Sequence, residues 1–280
     1  MNYQNNILTG ERNQFGINLF SWGMFKNFSN TYIGTYIAPV DERDYYEPRT
    51  PGRVYVRTGF TNIFGGFNTN SNKKVSFNFN YYGGITNEIP GTIPRNPWGG
   101  ASIFTNWRAG NRFTLTYGPD FHRDYGDRGW VNTENDGTIV FGRRVIQNIT
   151  NTLSASYVFM RDMSLSVNGR HYWATGHYLG YYVLQEDGNL HDYINYAGNH
   201  DFSFNSFNID MVYKWIFAPG STLSIAWKQN ILKEDPQIDY NFIHNLSGTV
   251  QAPQYNSISV RVLYYLDYLY IKKALGRKKN

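Results

Sequence analysis

The chain contains no cysteine, so it has neither a disulfide framework nor a thiolate metal site. Charge is scarce, at 17% of the 280 residues. No uninterrupted apolar run approaches the roughly 18 residues that a membrane-crossing helix requires. Apolar residues spaced three and four apart are nearly missing too, so no convincing amphipathic helix is expected. Disorder is excluded from the other side: 41% of the residues are apolar and 18% aromatic, ample surface to bury. What is abundant is Tyr, Phe, Trp and Gly, at 24, 19, 7 and 27 residues. Mean hydropathy nevertheless stays at −0.51.

The dominant period is two. From Ser257 to Ile271 the even positions carry Ile258, Val260, Val262, Tyr264, Leu266, Tyr268 and Tyr270, with Ser257, Ser259, Arg261 and Asp267 among the odd ones. Phe207, Ile209, Met211, Tyr213 and Trp215 alternate with Asn208, Asp210 and Lys214. Val75, Phe77, Phe79 and Tyr81 do so with Ser76, Asn78 and Asn80, and Leu153 to Phe159 with Thr152, Ser154 and Ser156. Such alternation predicts extended strands with one apolar and one polar face.

Two kinds of connection alternate along the chain. Short, turn-like ones fall near Lys26–Asn30, Thr69–Lys73, Ala109–Asn111, Met160–Met163 and Ala218–Ser221. Long ones fall near Asp41–Gly52, Gly83–Pro97, Pro119–Gly137, Ala174–Asn205 and Leu232–Asn256, and Thr138–Met160 reads as one very long strand. Tight turns at one end and long loops at the other, with about 11–12 strands, predict an all-β, antiparallel up-and-down transmembrane barrel of outer-membrane type. Only helices and closed barrels satisfy their backbone polar groups in lipid. Trp107, Trp215, Tyr268 and Tyr270 suit an interfacial girdle. The competing soluble sandwich would have shorter strands and more charge on its polar face.

This reading divides the chain into a lead-in over 1–12, a barrel over 13–271 and a basic periplasmic tail over 272–280. The polar faces place Arg53, Arg57, Arg170, Asp210, Lys214, Lys228, Arg261 and Asp267 in the lumen. The external loops are rich in rings, with Tyr45, Tyr46, Trp98, Trp130, Trp173, Tyr178 and Tyr182 as binding candidates for a glycan or a surface lipoprotein. The first strand, near Asn13–Gly23, descends into a short turn, so its start falls on the external side. That is odd for an even-stranded barrel, and no secretory signal stands before it. The expectation is the C-terminal part of a longer exported chain.

The stretches Thr69–Phe77, Phe141–Arg144, Phe217–Leu223 and Leu263–Tyr270 resemble the C-terminal barrel region of an uncharacterised Bacteroidota outer-membrane family. Members of that family typically carry a signal peptide and a family-9-like carbohydrate-binding sandwich ahead of the barrel. The resemblance runs from about Arg53 to Lys273 and implies fold and outer-membrane location rather than chemistry.

Chemistry is sparsely signalled. His191-Asp192 and His200-Asp201 are adjacent pairs, and neighbours on an extended chain point opposite ways, so neither makes a couple by itself. A hydrolase built around His191 or His200 is the minority reading; no catalytic centre is expected. His171 and His177 lack a carboxylate at metal-binding spacing, and no cofactor or metal is expected. The acidic clusters Asp41-Glu42-Arg43-Asp44 and Asp124-Tyr-Gly-Asp127 read as solvated loops rather than calcium sites. The net charge of +5 gathers in the tail, which predicts lipid contact and not nucleic acid. The expected role is surface binding or solute passage in the outer membrane of a Gram-negative bacterium. The alternative is an anchor that displays a carbohydrate-binding domain.

Overall fold

A computed structural model describes all residues except 6, 8, 9, 11, 89–93, 267, 270 and 273–280. Its strands are β1 (Asn2–Asn5), β2 (Arg12–Met24), β3 (Asn30–Ala38), β4 (Glu42–Asp44), β5 (Tyr55–Arg57), β6 (Phe60–Asn68), β7 (Val75–Thr86) and β8 (Pro97–Ala109). They continue as β9 (Phe113–Thr133), β10 (Ile139–Met160), β11 (Met163–Leu184), β12 (Leu190–Asp192), β13 (Phe202–Ala218), β14 (Ser221–Asp235) and β15 (Gln254–Leu263). One helix, α1 (Phe242–Val250), precedes β15. All strands but β4 and β5 form one sheet in the order β1-β2-β3-β6-β7-β8-β9-β10-β11-β13-β14-β15, with β12 added beside β11. Every pairing is antiparallel. Among the described residues the sheet is an up-and-down wall that is not closed, ending at β1 and β15.

Cross-strand register sorts the two faces. One row runs Val75, Trp107, Leu115, Ala155, Val167, Met211, Trp227, Ile258 across eight strands, every member apolar. The adjacent row runs Ser76, Asn106, Thr116, Ser154, Asn168, Asp210, Lys228, Ser257, every member polar. The apolar row is not hidden: Trp107 is 45% exposed and Ile258 72%. Each such side chain left in water forgoes about 1.5–3 kcal/mol, a penalty that lipid removes. Near the short turns the same face carries a belt of rings in contact, Trp107 to Phe113 to Tyr157 to Phe159 to Tyr213 at 4.8–6.5 Å. An aromatic girdle at one rim is what a membrane barrel places at the headgroup level.

On the polar face, rings lie flat over glycines of the neighbouring strand. A Cβ on Gly118 would stand 2.1 Å from the Phe104 ring, and one on Gly100 2.6 Å from the Tyr82 hydroxyl. Only hydrogen fits there, so the wall can curve towards its polar side with the rings covering the backbone. That side is the lumen.

The short turns fall at 25–29, 69–74, 110–112, 161–162 and 219–220, all at one end, as expected. At the other end long connections remain at 39–59, 185–201 and 236–253, but two of the expected loops are largely strand. Residues 119–133 and 174–184 are strand, because β9, β10 and β11 run for 21, 22 and 22 residues and stay paired through a few bulges. Crossing a bilayer takes about 9–11 residues, so roughly half of each strand stands beyond it. This overhang carries the hydrophobic core: Tyr55, Ile139, Phe141, Leu184 and Leu190 are buried together, with Trp130 and Tyr182 packed against them. Two more expectations change. The helix α1 lies in a segment read as loop, and β15 stops at Leu263, so Tyr264, Leu266 and Tyr268 do not extend its alternation.

Candidate functional site

The overhang encloses a cavity of about 370 Å³ on the lumenal face. Its floor is the barrel wall, where Phe60, Thr86, Trp98, His122 and Asp124 project from β6 to β9. Gly84, Trp98 and Asp124 share one cross-strand row, and Tyr82, Gly100 and His122 the row below. The Tyr82 hydroxyl lies 3.0 Å from His122 Nδ1. The roof is the β4–β5 hairpin, whose Glu42 and Arg57 stand opposite each other in register and both line the cavity.

The hairpin is fastened at several points. Tyr55 is 4% exposed, with its ring 4.8 Å from that of Phe141. The Val56 amide donates to the Gly188 carbonyl at 2.9 Å, and Arg53 Nη2 donates to the Leu184 carbonyl at 2.8 Å. A Glu47 carboxylate oxygen accepts the Trp130 amide at 2.8 Å. Arg49 lies over the Trp130 ring, 4.3 Å from its centroid.

Three carboxylates (Glu42, Asp124, Asp127) and two guanidiniums (Arg57, Arg128) face this space. Burial raises Glu42 above its ordinary value, partly offset by a hydrogen bond from Gln14 and by Arg57. Burial likewise raises Asp124, although the Gly126 amide donates to it at 2.9 Å. Burial lowers Arg128 and pushes the Tyr55 phenol up to about 12. Arg144 escapes this trend: burial pulls it down, but the carboxylate of Asp127 at 2.8 Å and the Tyr178 hydroxyl more than offset that. Glu42 Oε1 and Arg128 Nε and Nη2 are buried without a protein partner. Such orphaned groups are costly unless something else satisfies them. The site therefore offers an acceptor, a fork of donors and the Trp98 ring to one guest.

Of the expected lumen residues, Arg170, Asp210, Lys214, Lys228 and Arg261 do share the polar face. Lys228 pairs with Asp210 at 3.3 Å. Arg53 and Arg57 do not line the barrel wall; they belong to the roofing hairpin, where Arg57 meets Asp44 at 3.4 Å. Asp267 lies outside the described residues, as do positions 273–280 of the basic tail.

The aromatic candidates divide further. Trp98 lines the cavity, Tyr46 is 91% exposed, Tyr45 is half-buried, and Trp130 and Tyr182 back the core. Trp173 is no loop residue: it sits on β11, 2% exposed, its Nε1 donating to Ser203 Oγ at 3.1 Å. Tyr178 stacks on Tyr181 at 5.5 Å, and Tyr181, Tyr193, Tyr196 and His200 continue the cluster, so these rings spend their faces on one another. Asp201 bonds not to its neighbour His200 but to His177, at 2.8 Å, and its other oxygen accepts the Tyr178 amide. His200 meets the Tyr196 hydroxyl instead, and His191 is exposed on β12. Among the described residues no group of three His, Asp or Glu side chains is arranged for a metal.

The sequence reading missed Glu42, Asp124, Asp127 and Arg128 as site residues. Their signal was visible as two acidic clusters; what it lacked was the register that sets them across one space.

No protein of curated function matches the chain. Among solved structures it is similar to the siderophore receptor PiuA of Acinetobacter baumannii, with TM-score 0.51 and 9% identity, over 88% of this chain and 44% of the receptor. This chain thus spans less than half the length of that receptor, and at this identity the likeness concerns fold alone. A toluene transporter of P. putida, TodX, aligns over 90% of this chain and 83% of its own, with 8% identity and TM-score 0.28. The family model for a domain of unknown function, DUF5916, matches residues 1–275, and the chain belongs to that family.

Proposed function

We propose that the chain is an outer-membrane β-barrel of a Gram-negative bacterium that captures a polar, polyhydroxylated solute at its external mouth. The observation that carries this reading is the lumenal cavity under the β4–β5 hairpin, lined by Glu42 and Arg128, whose Oε1 and whose Nε and Nη2 lack a protein partner. Hydroxyls donate to the first and accept from the second, and the Trp98 ring supplies an apolar face for a sugar-like ring. Mixed charge argues against a strongly anionic or cationic guest. His200 meets the Tyr196 hydroxyl rather than a carboxylate, which favours binding or passage over hydrolysis at that position. The association with a carbohydrate-binding sandwich, implied by resemblance alone, is compatible with a glycan guest.

The test is intrinsic fluorescence of the folded protein in detergent, titrated with neutral oligosaccharides and, separately, with amino acids. A saturable change with an oligosaccharide, lost in Trp98→Phe and weakened at least tenfold in Arg128→Ala, is the expected result. No saturation with any oligosaccharide, or a signal unchanged in both variants, defeats the reading.

A further inference from the structure

The helix α1 rests on the outer, apolar face of the wall. Its N-terminus is fixed by Asn241, whose side chain accepts the His244 amide at 3.1 Å. Phe242 lies 6.1 Å from Trp173 and 5.8 Å from His171, ring to ring. Asn245 and Asn205 exchange two amide hydrogen bonds, at 2.8 and 3.1 Å, both side chains buried. Beneath the helix remains a groove of about 320 Å³, within the range of small-molecule sites.

The groove is apolar on nearly all sides. Leu153, Val167 and Ile209 form its floor, Gly169 leaves its centre empty, and Phe242 and Leu246 roof it. These floor residues belong to the outward-facing rows, so the groove is continuous with the lipid-facing surface. Asn151, Thr152 and Arg170 stand at its polar margin, and one further member does not fit a greasy slot. His171 is 4% exposed, and both of its ring nitrogens lack a hydrogen bond of ordinary geometry. Asn205 interacts with the ring, but its amide is engaged by Asn245 through both its oxygen and its nitrogen. His171 is the ninth residue of β11 counted from Met163 at the short-turn rim. With about 9–11 residues needed to cross, it lies near the external boundary of the hydrocarbon.

A neutral imidazole presents one donor and one acceptor. An ester carbonyl satisfies only the donor, whereas a chain hydroxyl can also donate to the bare nitrogen. We propose that this groove seats one acyl chain of an outer-leaflet lipid, a chain bearing a hydroxyl near its ester, as in the 3-hydroxyacyl chains of lipid A. The hydroxyl bonds to His171 while the methylenes lie along Leu153, Val167 and Ile209. This rests on the membrane reading of the apolar face.

The experiment uses the full chain reconstituted in nanodiscs doped with lipid A or with a synthetic analogue lacking the chain hydroxyls. After transfer to detergent, retained lipid is counted by native mass spectrometry. Wild-type protein is expected to retain one lipid A, and at least tenfold less of the analogue. Gly169→Phe fills the groove and leaves the imidazole of His171 in the chain; the nearest atoms to a Cβ there are 3.9 Å away. It and His171→Phe, each checked for folding by heat-modified gel mobility, are expected to lose the retained lipid. Equal retention by wild type and a folded Gly169→Phe overturns the proposal, as does equal retention of the two lipids. Failure of wild type to enter the bilayer at all overturns instead the membrane reading beneath it.

Discussion

Glu42 is held in the mouth by a hairpin of three-residue strands, and its carboxyl is raised by burial. The folded protein therefore keeps a proton that the unfolded chain has already released as pH climbs past the ordinary glutamate value. Stability falls through the window from that value up to the raised one, since the unfolded state binds fewer protons there. Hydrogen exchange over residues 42–57, followed across a pH series, is expected to show protection declining through this window. In Glu42→Gln the slope is expected to shrink, with a remainder from Asp124, raised by the same burial. An identical slope in wild type and variant contradicts the assignment. On the wall, Gly118→Ala drives a Cβ into the Phe104 ring and towards Thr152 Oγ1 at 2.9 Å. Overpacking of this kind costs about 1–3 kcal/mol. The temperature at which the barrel loses its folded gel mobility is expected to drop, and adding Phe104→Ala to recover much of it.

The elements show where sequence alone succeeds. Alternation in Val75–Tyr81, Leu153–Phe159 and Phe207–Trp215 reports strands directly, since a two-sided wall writes its environment into every second residue. The short turns are equally legible through Asn70, Gly110 and Gly220. The overhang was not, because above the bilayer both faces meet water or loops and the alternation fades: Asp120 to Trp130 reads as polar loop text yet pairs with β10 on both sides of a bulge at Tyr125–Gly126. The helix α1 was hidden for a related reason. Its nine residues include Asn245 and Thr249, which are buried against the wall beside Phe242 and Leu246, so the inward stripe is half polar where an apolar one was sought. That arrangement has a measurable consequence. Asn245→Ala leaves the Asn205 amide buried without its partner, a loss of about 1–3 kcal/mol. Amide protection of residues 242–250 is expected to fall by one to two orders of magnitude while the strands keep theirs; unchanged protection in the helix contradicts the role given to the pair.

At the scale of the molecule, all short turns gather at one end and the hydrophobic core sits at the other, so the two ends of the wall differ in exposure and chemistry. Protease added to intact cells is expected to cut within 185–201 or 236–241, and to reach 69–74 or 161–162 only after the outer membrane is breached. Cleavage of the short turns from outside inverts the orientation. The site was the least legible feature of all: its carboxylates come from β4 and β9, about eighty positions apart in the chain, and no local pattern announces that they face one space. The long strands give this arrangement its reach. With about ten residues of β9 beyond the bilayer, at about 3.3 Å each, the parapet rises roughly 33 Å along the strand. The cavity beside His122 and Asp124, the tenth and twelfth residues of β9, sits at the foot of that parapet, so a guest passes the wall before it reaches the site.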